Sequence, residues 1–250
     1  MRRAVCLLMR GIEKGAGNAV WLHWRMRRSL RQRGVLGTVR NAPAVVTNAA
    51  FDPIHGVDTG GYVHPSSMHD VESANRIYGN KYDATKVCLF RQVTGASDIE
   101  PHCYTLIDYG SGKGRVLLLA SQLPFRRVVG VEYSPAMHQI AEQNLRVVRF
   151  AKRRSGPVES VCEDAVRFQI PEEPVVLYFY NPFTLQIMES VRDNLVRSYE
   201  GNPRSIVVIY LIPAHSDVWD AVDFLKRHAW SRSSDYVIYK SAESGFEACV

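Results

Sequence analysis

Residues 105–121 read TLIDYGSGKGRVLLLAS. Thr105 to Asp108 is predicted to be a short buried strand that runs into the loop Gly110-Ser111-Gly112-Lys113-Gly114 and then into an apolar helix beginning near Arg115. Glycines at alternate positions let the backbone turn sharply and come close to a ligand where a Cβ would stand in the way. The helix behind them presents unpaired N–H groups and the positive end of its dipole. Strand, loop and helix together read as a ligand loop of nucleotide type in an α/β fold. The dinucleotide pattern G-x-G-x-x-[GA] fails here, because its last position falls on Arg115 counted from Gly110 and on Leu117 counted from Gly112. The phosphate loop that ends in Gly-Lys-Ser/Thr fails as well.

Working outward, Arg127 to Glu132 (RVVGVE) reads as a second buried strand ending in a carboxylate, 24 residues beyond Asp108. A carboxylate at that tip can accept bonds from both hydroxyls of a ribose. Ser134-Pro135 has the residues of a helix start, a serine cap followed by a proline at the first position. Val158 to Cys162 is a third strand, followed by Glu163-Asp164-Ala165. Pro174 to Tyr180 (PVVLYFY) is a nearly unbroken apolar run, as in a strand buried on both faces of a parallel sheet, and Asn181-Pro182-Phe183 follows it. Ligands in such sheets sit beyond the carboxyl ends of the strands, which places this tripeptide opposite the glycine loop. Ile206 to Ile212 is a further buried strand, Asp217 to Arg227 is predicted to be a helix with Val218, Ala221, Val222 and Leu225 inward, and Tyr236 to Tyr239 is a last strand. Ahead of the sheet, Ala84 to Thr94 is predicted to be a helix.

With D-x-G-x-G-x-G after an apolar strand, and with GVEYSP, CEDA and YFYNPF in order behind it, the stretch from about Ala84 to Lys240 resembles the class I S-adenosylmethionine (SAM)-dependent methyltransferases. Within them it is similar to bacterial-type methyltransferase-domain proteins of unassigned acceptor. The resemblance implies an α/β fold with a seven-stranded, Rossmann-like, mostly parallel sheet, helices on both faces, a terminal antiparallel strand and an N-terminal extension. It implies SAM as cofactor, held by Asp108, Gly110, Ser111, Gly112, Gly114, Glu132 and Asp164, with Asp164 directed to the adenine amino group. Tyr82 lies just before the first helix, where members of this superfamily place a lid; it is a candidate contact, packing of the loop on the core being the alternative. Asn181-Pro182-Phe183 resembles the (D/N)-P-P-(Y/F) element of amino-group methyltransferases with one proline fewer. Its implied role is catalytic: an amide oxygen and a backbone carbonyl to hold an amine, and a ring to exclude water. The expected activity is methyl transfer to nitrogen, a protein side chain being one candidate acceptor.

The net charge of +6 is unevenly spread. Residues 1–41 hold ten Lys/Arg against Glu13, so they carry +9 and the remainder −3. This divides the chain into a basic arm (1–41) with a predicted amphipathic helix between Asn18 and Gly34, an irregular lead-in that could serve as a lid (42–83), and the methyltransferase domain (84–250). The arm suits contact with nucleic acid or an anionic membrane, and a non-catalytic module working through it is the alternative reading. No stretch is predicted to span a membrane. Five scattered cysteines without a C-x-x-C pair suggest reduced thiols and a cytoplasmic protein. His64, His69 and Asp70 share no helical or strand face, so no metal is expected.

Overall fold

The structure is a computed structural model that describes residues 47–63, 82–150, 153–231, 233 and 235–241. The basic arm and the His64, His69 and Asp70 group lie outside the described residues. Helical residues 47–55 (α1) come first, followed by a small antiparallel pair, β1 (Tyr62–Val63) and β2 (Tyr82–Asp83). Then come α2 (Val87–Ala96), β3 (Thr105–Tyr109), α3 (Arg115–Ala120), β4 (Arg127–Glu132), α4 (Pro135–Val147), β5 (Val158–Cys162), β6 (Val175–Tyr180), α5 (Leu185–Gly201), β7 (Ile206–Leu211), α6 (Asp217–Asp220), β8 (Leu225–Trp230) and β9 (Tyr236–Ser241).

Strands β3 to β9 form one seven-stranded sheet in the order β5-β4-β3-β6-β7-β9-β8. The pairs among β3 to β7 are parallel, and β9 runs antiparallel between β7 and β8. The expected seven-stranded methyltransferase sheet is therefore present. Because the chain leaves β3 in one direction and reaches β6 on its other side, the strand order reverses between these two, and a crevice opens above their carboxyl ends.

Burial follows from the sequence of the strands. Val175 to Phe179 and all of β7 are buried because helices cover both faces. On one face α5 and α6 bring Ile187, Met188, Val191, Leu195 and Trp219 against Tyr109, Phe179 and Tyr210. On the other, α1, α2 and α3 bring Phe51, Phe90, Leu117 and Leu118 against Leu106, Tyr178 and Ile209. Each such side chain contributes roughly 1.5–3 kcal/mol through the water it leaves. Helix α4 starts as its sequence predicts: Pro135 takes the first position and the Ser134 hydroxyl accepts the Met137 N–H at 3.3 Å.

Three expectations need correction. Helix α2 starts at Val87, so residues 84–86 stay extended and free to line the crevice. The long helix expected over 217–227 is one turn, and 225–230 is the edge strand β8. Val218, Val222 and Leu225 are buried as expected, but Ala221 faces solvent. Lys226, Arg227 and His228 are exposed on β8, the usual protection of a sheet edge, and a bulge between Arg227 and Ala229 breaks the strand's alternation. Finally, Cys103 is disulfide-bonded, whereas Cys88 is a free thiol; pairing depends on spatial proximity that scattered cysteines do not reveal.

Candidate active site

The loop after β3 turns through three glycines in the left-handed region, Gly110 (φ 72°), Gly112 (φ 54°) and Gly114 (φ 80°). Two of them also make room. A Cβ on Gly110 would lie 2.6 Å from Pro182 Cβ, and one on Gly112 would lie 2.2 Å from the Tyr82 ring. The glycine loop thus touches the Asn-Pro-Phe element on one side and Tyr82 on the other.

Glu132 holds this loop from beneath. It is 4% exposed, and its carboxylate accepts the Gly112 N–H at 2.7 Å and the Ser134 N–H at 2.9 Å. Two oxygens accepting one N–H each still have lone pairs for a ligand's hydroxyls. Asp108, at the end of β3, is buried, and its carboxyl is pushed well above the ordinary range, first by loss of water and then by the neighbouring Glu132 charge. Ser111 is 4% exposed and its hydroxyl has no hydrogen-bond partner among the described residues. A buried hydroxyl in that state is costly unless something else satisfies it.

The described cleft has two adjoining lobes that share Gly110, Tyr133 and Phe183. The larger, about 610 Å³ with its solvent mouth, is bordered by Tyr82, Asp83, Thr85, Asp108, Ser111 and Glu132 on one side and by Tyr180 and Pro182 on the other. The smaller, about 350 Å³, is the more apolar one, with Val131, Ala165 and Ile187 beside Glu163 and Asp164. Asp164 also accepts the Val166 N–H at 3.1 Å, which shapes the turn after β5. A buried carboxylate in the larger lobe, an apolar slot beside Asp164, a Ser111 hydroxyl unsatisfied among the described residues and a glycine loop that admits close approach fit the donor set of SAM.

Of the sequence-predicted residues, Asp108, Gly110, Ser111, Glu132, Tyr82, Pro182 and Phe183 border the larger lobe, and Asp164 the smaller. Gly112 and Gly114 shape the loop from outside the lining. Asn181 stands apart: it has a positive φ of 43°, and its side-chain oxygen accepts the Tyr210 hydroxyl at 3.2 Å. The His215 N–H in turn approaches that hydroxyl at 3.3 Å. Burial is the largest cause that pushes the Tyr210 phenol up to about 12. Asn181 thus fixes the turn that sets Pro182 on Gly110. The Tyr82 hydroxyl donates to the Thr59 carbonyl at 2.6 Å, so its ring, not its hydroxyl, faces the loop. Burial raises its pKa far above the ordinary phenol value.

Sequence reasoning missed how the lead-in is held. Arg115 is 4% exposed; its guanidinium bonds Thr59 and, at 3.0 Å, Asp52, and stacks 4.1 Å from the Phe51 ring centre. Desolvation lowers its pKa while Asp52 opposes that shift. Asp52 also caps the Thr59 and Gly60 N–H groups at 2.9 and 2.6 Å. Lys113 pairs with Asp58 at 2.8 Å, and Asn144 bonds both the Asp58 carbonyl and the Lys113 carbonyl. Thr85 was missed too, although its place just after the Tyr82–Asp83 segment was the signal available. Elsewhere Glu100, His102 and Cys103 come within 4.8 Å of one another, but the disulfide occupies the Cys103 sulfur.

Residues 107–196 match the family model described as a methyltransferase domain. The match runs from β3 into α5 and agrees with the class I SAM-dependent methyltransferase reading of the glycine loop and strand order. No curated protein matches it. Among solved structures it is similar to an RNA methyltransferase from Salinibacter ruber in complex with S-adenosyl-L-homocysteine (18% identity, 66% of this chain and 97% of that one, TM-score 0.41). It is also similar to a TehB-like SAM-dependent methyltransferase from Corynebacterium glutamicum (15% identity, 62% and 87%, TM-score 0.42). A third is magnesium protoporphyrin IX methyltransferase from Synechocystis PCC 6803 with bound SAM (13% identity, 63% and 79%, TM-score 0.41).

Proposed function

We propose that the enzyme transfers the methyl group to a nitrogen, with a protein side chain among the acceptors the cleft would take. Glu132, Asp108 and Ser111 would hold SAM in the larger lobe and Asp164 its adenine end in the smaller. When bound, SAM supplies a methyl group already activated by its sulfonium. What remains for the chain is placement, and correct placement alone can supply a large part of a rate enhancement. The observation that carries this reading is the seating of Pro182 on Gly110, where a Cβ would lie at 2.6 Å, because it sets the Asn-Pro-Phe element beside the cofactor loop. The buried Phe183 ring walls that end against water. Carbonyl groups of this turn would accept hydrogen bonds from an amine and so could hold it by its N–H groups.

Calorimetric titration with SAM and with S-adenosylhomocysteine, beside NAD, tests the cofactor. Binding of both sulfur compounds and none of NAD is expected. Asn181→Ala should then lower methyl transfer while S-adenosylhomocysteine affinity stays nearly intact; an equal loss of both would make Asn181 a purely structural residue.

A further inference from the structure

We infer, building on the methyltransferase reading, that the acceptor is an amine presented as a cation and not a nucleic acid, with Asp83 as its anchoring charge. Five acidic side chains border the cleft, Asp83, Asp108, Glu132, Glu163 and Asp164. The one basic side chain bordering it among the described residues, Arg115, is already paired with Asp52. SAM brings one net positive charge, from a sulfonium and an ammonium against a carboxylate. Setting the buried Asp108 aside, four acidic side chains remain against that single positive charge in a partly enclosed site. A phosphate backbone drawn along that mouth would be repelled, whereas an ammonium group would be attracted and concentrated there.

The five acids are not equivalent. Glu132 is engaged with Gly112 and Ser134, Asp164 with the Val166 turn, and Asp108 lies at the bottom of the crevice. Asp83 is exposed; its charge acts on Arg115 through space, but no hydrogen bond or close ion pair holds its carboxylate among the described residues. It borders the same lobe as Thr85, Tyr180 and Pro182. In the transfer itself the ammonium first gives a proton to solvent. The amine lone pair then bonds the methyl carbon, the carbon–sulfur pair leaves with sulfur, and a methylammonium and a neutral thioether remain.

The test uses the full chain, labelled SAM and three probes: N-acetyl-lysine amide, its neutral isostere N-acetyl-norleucine amide, and a single-stranded RNA. Label is expected in the lysine probe and in neither of the others. Asp83→Asn should weaken binding of the lysine probe to the S-adenosylhomocysteine-loaded protein by about tenfold, the effect of losing one hydrogen bond to a charged group. Asp83→Glu should restore most of it, and S-adenosylhomocysteine affinity should be unchanged in both variants. Label in RNA, no label in the lysine probe, or lysine-probe binding indifferent to Asp83→Asn would each overturn the inference. Failure of the wild-type protein to bind S-adenosylhomocysteine would overturn the methyltransferase reading beneath it, and the titration separates the two cases.

Discussion

Replacing Glu132 with alanine should destabilise the ligand-free protein, quite apart from any effect on SAM. Its carboxylate accepts two backbone N–H groups at 2.7 and 2.9 Å in a position 4% exposed. Hydrogen bonds to a charged group contribute roughly 1.5–3 kcal/mol each, and the N–H groups left behind would be unsatisfied. The gross loss is therefore on the order of 3–6 kcal/mol. Part of it is returned, because the Glu132 charge is one cause of the raised Asp108 pKa, and removing that charge relieves Asp108. A net cost of about 3 kcal/mol is expected. Urea denaturation at neutral pH on wild type, Glu132→Ala, Asp108→Asn and the double variant measures both terms. In the Asp108→Asn background there is no repulsion to relieve, so Glu132→Ala should cost about 1 kcal/mol more than in wild type, a coupling of ordinary size for neighbours. A cost below about 1 kcal/mol in wild type would refute the claim that Glu132 holds the glycine loop. Equal costs in the two backgrounds would refute its coupling to Asp108.

Asp108 alone gives a pH signature. Its native pKa is raised well above the ordinary value of a free carboxyl group, so the folded state binds the extra proton. Its stabilising contribution is complete below that value and is lost as pH rises through the native one. Asp108→Asn should then raise the thermal midpoint at pH 8 by more than at pH 4, and a gain independent of pH would contradict the burial argument. Arg115→Met should cost about 3 kcal/mol, as for a buried pair losing one partner, and should make residues 52–60 more sensitive to protease; a cost under about 1 kcal/mol would mean the lead-in is held elsewhere. Gly112→Ala combines a left-handed φ of 54° with a Cβ 2.2 Å from the Tyr82 ring. It should destabilise by about 1–3 kcal/mol, and Tyr82→Ala in the same chain should recover part of that loss; no recovery would place the strain in the backbone alone.

The central sheet was legible because its strands are buried on both faces and write themselves as apolar runs, Val175 to Tyr180 above all. The glycine loop and Glu132 were legible because tight turns and strand tips restrict residue type locally. Strand β8 was not: a bulge at Arg227/Ala229 and an exposed, charged edge remove the alternation that marks a strand, while Val218, Val222 and Leu225 happen to fall at helical spacing. Nor was the clasp of Asp52, Thr59 and Arg115, which joins residues 56 apart in the Thr59 to Arg115 bond and so leaves no periodic trace.

The antiparallel β9 between β7 and β8 has a consequence for the order of assembly. Strand β8 touches the sheet through β9, yet β9 follows it in the chain. During synthesis residues 225–230 therefore wait, with their ladder groups unpaired, until residues 236–241 have emerged and docked on β7. Until then β7 is itself an open margin, with Val207, Ile209 and Leu211 able to template a foreign strand. The hairpin closes that margin last. Premature termination before Tyr236 would release a chain whose crevice between β3 and β6 is already built but whose sheet edge invites aggregation.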